Sequence, residues 1–157
     1  MGKANADLLC EMLAARGELL KQLKGLRGDR AQTRPEPNEW SVVEVLQHVA
    51  DIDSLMVRRF GEIKAGKAEL SPNTPADWEA ARSAAERDGL AGVIRRLYAT
   101  RTAVLDAVSD MEAADLERSA KHPRYGEMTM RQLVEMIVRH DLDHAQQIAK
   151  TRAVVER

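Results

Sequence analysis

Apolar residues recur along this chain at spacings of three and four, the period of amphipathic α-helices. The first stripe predicts a helix over about residues 5 to 25. It consists of Leu8, Met12, Ala15, Leu19, Leu23 and Leu26. No segment shows the strict alternation of apolar and polar residues that is typical of a strand, so the pattern predicts an all-helical protein.

Three further helices carry start signals. Ser41 with Glu44, and Thr129 with Gln132, match the capping box, in which a hydroxyl and the side chain three residues later bind each other's backbone amides. Thr74 is followed by a proline, which suits the first position of a helix. The apolar stripes of these helices are Val45, Val49, Ile52, Met56 and Ile63; Leu90, Ile94, Leu97, Val104 and Val108; and Leu133, Ile137 and Ile148.

Four helices of about 20 to 30 residues predict a four-helix bundle. Gly66 is expected to end the second helix, and Gly89 and Gly92 are expected to weaken or bend the third. The connections at residues 26–40 and 110–128 are long enough to cross the bundle, so an up-down-up-down order is not forced. A length of 157 residues predicts one domain over residues 1–157.

Composition narrows the functional classes. The formal net charge is -1 and basic runs are not interleaved with aromatic residues, so we expect no nucleic-acid partner. No apolar run reaches the roughly 20 residues that cross a bilayer, so we expect no membrane partner. The first nine residues lack a signal-peptide apolar region, and Cys10 is the single cysteine. These features predict a cytoplasmic protein.

Two histidines occupy the middle of the apolar stripe of the last helix. His140 and His144 lie between Ile137 and Ile148 at helical spacing, where leucine would be expected. A separation of four residues places both imidazoles on one face, about one turn apart. One metal ion at about 2.0–2.1 Å from each nitrogen can bridge them.

His48 also lies within an apolar stripe, between Val45 and Ile52 on the second helix. Together with His140 and His144 it gives three imidazole ligands, and three protein ligands with one open position are typical of catalytic zinc sites. A single inward histidine is usually a hydrogen-bonded core residue, but three such residues on two helices favour a divalent metal site. Three imidazoles suit zinc, nickel, copper and iron alike.

The same segments resemble those of the DinB-like superfamily of helical metalloproteins. The resemblance rests on EWSVVEVLQHVAD at residues 39–51, HPRYGEMT at residues 122–129 and HDLDH at residues 140–144. It implies a four-helix bundle of DinB/YfiT-like type that binds one divalent ion through His48, His140 and His144. It implies zinc or nickel first, with iron, manganese, cobalt and copper as alternatives. It also implies a homodimer and a small-molecule substrate, which in characterised relatives is a low-molecular-weight thiol such as bacillithiol or mycothiol.

Other polar residues near the stripes are also considered for a role at the site. Asp51 is a candidate acceptor that orients a ligand imidazole, and Arg101 is a candidate contact for a substrate carboxylate. Arg101 can instead extend its charged end to water. Asp141 and Asp143 are expected to be solvated; in the alternative interpretation, one of them holds a ligand from the side or binds a neighbouring helix. His122 is expected to be a surface or loop-packing residue.

Two classes of function remain open at this stage. In the first, the ion holds a thiol or a water molecule in its open position and lowers its pKa, as in a thiol transferase or a hydrolase. Thiol transfer is favoured over hydrolysis only by the resemblance. In the second, the ion only stabilises a non-catalytic, stress-related module. A ligand set closed by a fourth protein group would indicate the second class.

Overall fold

The structure, a computed structural model, describes residues 3–157, with side chains described from Asn5 onward. Residues 1 and 2, part of the segment in which no signal peptide is expected, lie outside the described residues. The elements are α1 (Lys3–Lys21), α2 (Gly28–Gln32), α3 (Val42–Lys64), α4 (Pro75–Ser109), α5 (Ala113–Leu116), β1 (Ser119–His122), β2 (Gly126–Thr129) and α6 (Met130–Val155). The four long helices α1, α3, α4 and α6 form the predicted four-helix bundle.

The capping signals mark the observed helix starts. Ser41 Oγ accepts a hydrogen bond from the Glu44 amide at 3.3 Å, and Glu44 Oε2 accepts one from the Ser41 amide at 2.8 Å. Thr129 caps α6 through the predicted capping box. Thr74 also forms a complete capping box, with Asp77 as the returning side chain. These local contacts satisfy amides that have no partner within the helix.

A small β-hairpin corrects the expectation that the chain contains no strand. β1 and β2 pair antiparallel, with Ala120 opposite Met128 and His122 opposite Gly126. The backbone of Lys121 also bonds to the segment after α3, where its carbonyl accepts from the Leu70 amide at 3.0 Å. Both strands are four residues long, too short for alternation to stand out from the helical background.

Two helix boundaries depart from the expected pattern. The helix α1 ends at Lys21, so Leu23 and Leu26 pack from the following turns. Within α4, Gly89 has φ 66° and ψ -175°, a backbone conformation essentially restricted to glycine. The expected weak point of α4 is therefore a true break between its first segment, which carries Trp78, and its second.

Helix packing places α1 diagonally opposite α3, and α4 diagonally opposite α6. The closest packing joins α3 to α4 and α1 to α6, while α3 also packs on α6 and α1 on α4. Neither α1 with α3 nor α4 with α6 forms a main contact among the described residues. The connection from α1 to α3 therefore crosses the end of the bundle and contains α2. None of the described helices has both the length and the apolar character needed to cross a bilayer.

The buried apolar residues form two separate clusters, stacked along the bundle. One cluster includes Met12, Met56, Val104 and Ile137, and the other includes Leu19, Ala50, Leu97 and Ala145. Each helix of the bundle thus contributes to both clusters. Between these positions, every one of the four helices carries one buried charged residue.

Candidate metal centre

Three histidines from two adjacent helices meet inside the bundle. His48 comes from α3, and His140 and His144 come from successive turns of α6. The ring centroids of His140 and His144 lie 4.2 Å apart, and that of His48 lies 5.0 Å from the first and 5.1 Å from the second. All three side chains are half-buried, so the cluster faces the interior on one side and is accessible on the other.

The separations between ring nitrogens fit a shared ion. Nε2 of His140 lies 3.0 Å from Nε2 of His144 and 3.1 Å from Nε2 of His48. Two nitrogens that each bind one ion at about 2.0–2.1 Å can be at most about 4.2 Å apart. One ligand atom from each of the three residues lies within 4.8 Å of the others. Within residues 5–157, no fourth His, Cys, Asp or Glu belongs to this group.

Hydrogen bonding indicates which nitrogen of His144 is free to bind an ion. Its Nδ1 lies 2.7 Å from Oε1 of Gln147, and an amide oxygen only accepts, so Nδ1 carries the proton. Nε2 of the neutral ring then presents a lone pair to the cluster. A single proton on Nε2 of His140 cannot satisfy both neighbouring rings fully, whereas a cation can be shared by all three lone pairs.

Burial keeps these rings neutral. It lowers the pKa of His48 to about 4, and His144 adds to the effect. Burial lowers the pKa of His140 to about 2, with further contributions from His144, His48 and the nearby guanidinium groups. Burial also lowers the pKa of His144, against the opposing effect of Gln147. Neutral imidazole is the form that binds metal, so the environment prepares all three residues for that role.

Asp51 does not contact a ligand imidazole among the described hydrogen bonds. Its Oδ1 accepts from Nε2 of Gln47 at 2.9 Å, and burial raises the pKa of its carboxyl. Asp51 instead lines a cleft beside His48. The side chain that binds the outer nitrogen of a clustered ring is Gln147, one turn after His144.

Arg101 contacts two internal carboxylates, which corrects the expectation that its charged end extends to water. Its Nε and Nη2 lie 3.1 and 2.8 Å from the two oxygens of Asp53. Its Nη2 also donates to Asp141 at 3.2 Å, while its Nη1 lies 3.0 Å from Asp141 without hydrogen-bond alignment. The guanidinium is buried and is neutralised by these two aspartates, so its charged end does not extend to water. Asp141 is fully buried rather than solvated, and it binds arginines of neighbouring helices, as in the alternative interpretation. Asp143 is exposed as expected.

Arg16 completes this set, which we term the charge layer: Arg16, Asp53, Arg101 and Asp141. Arg16 donates from Nε and Nη2 to the two oxygens of Asp141, both at 3.0 Å, and from Nη2 to Asp53 at 3.0 Å. The four side chains are between 1% and 7% exposed. Each arginine contacts both aspartates, so the layer closes into a ring that involves all four long helices.

Two residues of the charge layer, Arg16 and Asp53, were not predicted. Arg16 falls between Met12 and Leu19 in the α1 stripe, and that position was the signal that could have identified it. Ile52 lies three residues after Val49 and Asp53 lies four residues after it, so either one fits the helical period. The predicted stripe contains Ile52, which is only half-buried in the structure, whereas Asp53 is buried.

Two clefts beside the cluster are both lined by His48 and Trp78. The first, about 440 Å³, also includes Asp51, Arg58 and Arg96. The second, about 660 Å³, is lined by Trp40, His144 and Lys150 among others. The ring of Trp40 contacts His48 edge-on at a centroid distance of 5.2 Å. Volumes in this range accommodate small organic ligands.

His122 lies outside the cluster and organises the hairpin turn. Its Nδ1 accepts from the amides of Arg124 and Tyr125 at 3.1 and 3.3 Å, and its Nε2 lies 3.1 Å from Nη1 of Arg59. The residue is buried, so the expected loop-packing role is correct but a surface position is not. Its contacts explain its presence without a metal.

Comparison with known proteins places the sequence among DinB-like proteins. The sequence model of the DinB superfamily matches residues 11–148, which contain all three clustered histidines. The uncharacterized protein YuaE of Bacillus subtilis (strain 168) is 29% identical over 155 residues, which span 91% of this chain and 96% of YuaE.

Solved structures with low sequence identity share the fold. YfiT from Bacillus subtilis, described as a probable metal-dependent hydrolase with an unusual four-helix-bundle topology, aligns with a TM-score of 0.80 at 15% identity, over 98% of this chain and 89% of YfiT. A mycothiol-dependent maleylpyruvate isomerase aligns with a TM-score of 0.79 at 10% identity, over 92% of this chain and 60% of the isomerase.

A third solved structure bears on the expectation of no nucleic-acid partner. The colibactin self-resistance protein ClbS, solved in complex with double-stranded DNA, aligns with a TM-score of 0.75 at 12% identity, over 95% of each chain. The fold is therefore compatible with DNA binding in at least one protein, and the fold alone does not exclude nucleic acid as a partner here.

Proposed function

Because this chain belongs to the DinB superfamily, we propose that it is a metal-dependent enzyme that transfers a low-molecular-weight thiol to a small electrophile. The observation that carries the proposal is the ligand count. His48, His140 and His144 are the members of the candidate site among the described residues, and no fourth His, Cys, Asp or Glu joins them there. Three ligands leave a coordination position for substrate, as in catalytic rather than structural zinc sites.

The chain's own residues support substrate access to that position. Two clefts reach His48, and their walls combine the aromatic surfaces of Trp40 and Trp78 with polar side chains. Trp78 is 44% exposed, which leaves its ring available to an organic ligand. Gln147 fixes the ring of His144, so that its Nε2 stays directed into the cluster.

The donor set favours an anionic fourth ligand. Three neutral imidazoles leave the charge of a divalent ion uncompensated. A thiolate is a softer ligand than hydroxide and therefore suits zinc or nickel better. When bound, the ion supplies the positive charge that lowers the pKa of a thiol at its remaining position. The thiol proton would pass to solvent, and the sulfur would bond to an electrophilic carbon of the acceptor. The bond from that carbon to its leaving group would break, and the leaving group would depart with the electron pair.

Metal binding is the first test. We expect one divalent ion per chain, zinc or nickel, in protein purified without chelator or nickel resin and examined by elemental analysis. His140→Ala should lose most of this metal on dialysis because it removes the central nitrogen of the cluster. His122→Asn, which changes a histidine outside the cluster, is the matched control and should retain it. Stoichiometric metal in His140→Ala would refute the site.

Thiol binding is the second test. Cobalt-substituted protein titrated with small thiols should develop a thiolate-to-cobalt charge-transfer band in the near ultraviolet, and His144→Ala should not. If cobalt binds and no thiol changes its spectrum, thiol transfer is wrong.

The description of YfiT as a probable metal-dependent hydrolase makes hydrolysis the second candidate, to be tested with ester and amide substrates. A metal that changes only stability would indicate the non-catalytic role.

A further inference from the structure

The charge layer divides the hydrophobic core at the height of the histidine cluster. Along each long helix, the residue of the layer separates a residue of one apolar cluster from a residue of the other. The sequence of positions is Met12, Arg16, Leu19 on α1; Ala50, Asp53, Met56 on α3; Leu97, Arg101, Val104 on α4; and Ile137, Asp141, Ala145 on α6. On α6, the layer residue directly follows the ligand candidate His140 in sequence.

The distribution of charge follows the distribution of candidate ligands. The two helices that carry the histidines, α3 and α6, contribute the aspartates, and the two helices without a histidine in the cluster, α1 and α4, contribute the arginines. Each arginine contacts both aspartates at 2.8 to 3.2 Å. The helices α3 and α6, which carry the histidines, are therefore connected to each other by the arginines of α1 and α4.

Stability alone is a poor explanation for such a layer. Removing four charged groups from water is costly, and the desolvation penalty of buried ion pairs can exceed their mutual attraction. Apolar side chains of similar volume often give equal or greater stability at such positions. The Nη1 of Arg101, which is buried without a hydrogen bond, adds to the cost. Unlike apolar contacts, the charged pairs define the rotation of each helix about its axis and its position along that axis.

Rotation matters because the ligand nitrogens lie far from the helix axes. Helical side chains end about 5–6 Å from the axis, so a rotation of only about 10° moves an imidazole nitrogen by about 1 Å. A metal site requires its ligands within about 0.5 Å of their productive positions. Bidentate arginine–carboxylate pairs at Asp53 and Asp141 restrain both ligand-bearing helices against this motion.

We propose that the charge layer is a positioning device for the metal centre, setting the rotation of α3 and α6 so that His48, His140 and His144 converge. This inference rests on the proposed metal site but not on thiol transfer. Arg16, Asp53, Arg101 and Asp141 are positioning residues that contact neither the ion nor the substrate. Their loss therefore affects metal affinity and ligand geometry more than it affects folding.

The main test replaces the whole layer, because removal of one charge alone would leave its partners buried and unpaired. The variant carries Arg16→Met, Asp53→Leu, Arg101→Met and Asp141→Leu. We expect its metal-free form to keep the helical far-ultraviolet signal and to melt no lower than the metal-free wild type. Its zinc affinity, measured by competition with a coloured chelator, should fall at least about tenfold, and its cobalt d–d spectrum should change.

Two further proteins make the result decisive. Arg16→Lys keeps the charge but loses the planar fork, so it should weaken zinc binding and change the cobalt spectrum even if the fourfold variant does not fold. Val108→Ala shortens a core residue outside the layer and the cluster, so it should lower the melting temperature while the cobalt spectrum remains unchanged. Folded layer variants with unchanged zinc affinity and cobalt spectrum would overturn the proposal. Absence of metal from the wild type would instead refute the metal centre, and this inference with it.

Discussion

At the scale of single residues, the candidate metal centre consists of histidines at positions where the helices otherwise carry aliphatic side chains. His48, His140 and His144 interrupt stripes that otherwise contain aliphatic residues, and the structure brings their nitrogens together. The sequence could not show that Asp53, rather than Ile52, faces inward, because both fit the helical period. Nor could it show that Arg101 has internal partners, since the partners of a buried charge lie on helices whose relative placement is not encoded locally.

The lowered histidine pKa values predict how the metal-free protein responds to acid. In the unfolded chain these rings take up protons near their ordinary pKa of 6.5, whereas in the folded protein His48 and His140 stay neutral down to about 4 and about 2. Below pH 6.5 the unfolded state therefore binds more protons. The free energy of unfolding should fall as the pH drops from 6.5 toward 4, which urea titrations of chelator-treated protein would measure.

A variant separates this effect from the titration of carboxylates. His140→Leu removes the ring whose pKa is displaced furthest, so its stability should depend less steeply on pH over the same range. Equal slopes for the two proteins would show that the histidines do not contribute to the acid sensitivity.

At the scale of elements, helix starts were predictable and helix ends were less so. The capping residues Ser41, Thr74 and Thr129 act on amides within three residues, so the relevant information is local in sequence. The end of α1 and the pairing of β1 with β2 depend on contacts with distant segments, including the bond from the Leu70 amide to Lys121. Sequence patterns carry little information about such contacts.

The break in α4 gives a prediction about backbone conformation. Gly89→Ala should lower the free energy of unfolding by about 1–3 kcal/mol, because a side chain is strained at positive φ. The new Cβ would also lie 3.0 Å from the side-chain amide of Gln32. Urea unfolding followed by circular dichroism measures the change.

Gly17 provides the matched control for this substitution. It lies within α1, and a Cβ added there has no neighbour within 4 Å. Gly17→Ala should therefore stabilise the protein by about 0.5–1 kcal/mol, the usual helix preference of alanine over glycine. Similar effects of both substitutions would contradict the special role of Gly89.

At the scale of the whole molecule, the bundle was predictable but its arrangement was not. Stripe lengths indicate four helices, and long connections permit a crossing, yet neither specifies that α1 lies diagonally opposite α3. The sequence also does not specify that the buried apolar residues form two separate clusters. The charge layer becomes visible only when the four helices are placed side by side, because each contributes just one residue to it.

Two apolar clusters predict that the fold persists without metal. Chelation should leave the helical signal at room temperature intact, because the core is buried independently of the histidines. It should lower the melting temperature by roughly 5–10 °C relative to protein with a 100-fold excess of metal over its dissociation constant. His140→Ala should show no such shift. Complete loss of helicity in chelator would place the ion in a structural role.

The separation of the candidate ligands along the chain has a consequence for biosynthesis. His48 and His140 lie 92 residues apart, so a ribosome working at about 5–20 residues per second needs roughly 5–20 s to synthesise the segment between them. During that interval His48 is present without its partners, and a single imidazole holds a metal ion only weakly. Loading of the proposed ion would therefore follow the docking of α6, and the nascent chain would begin to fold without help from the ion.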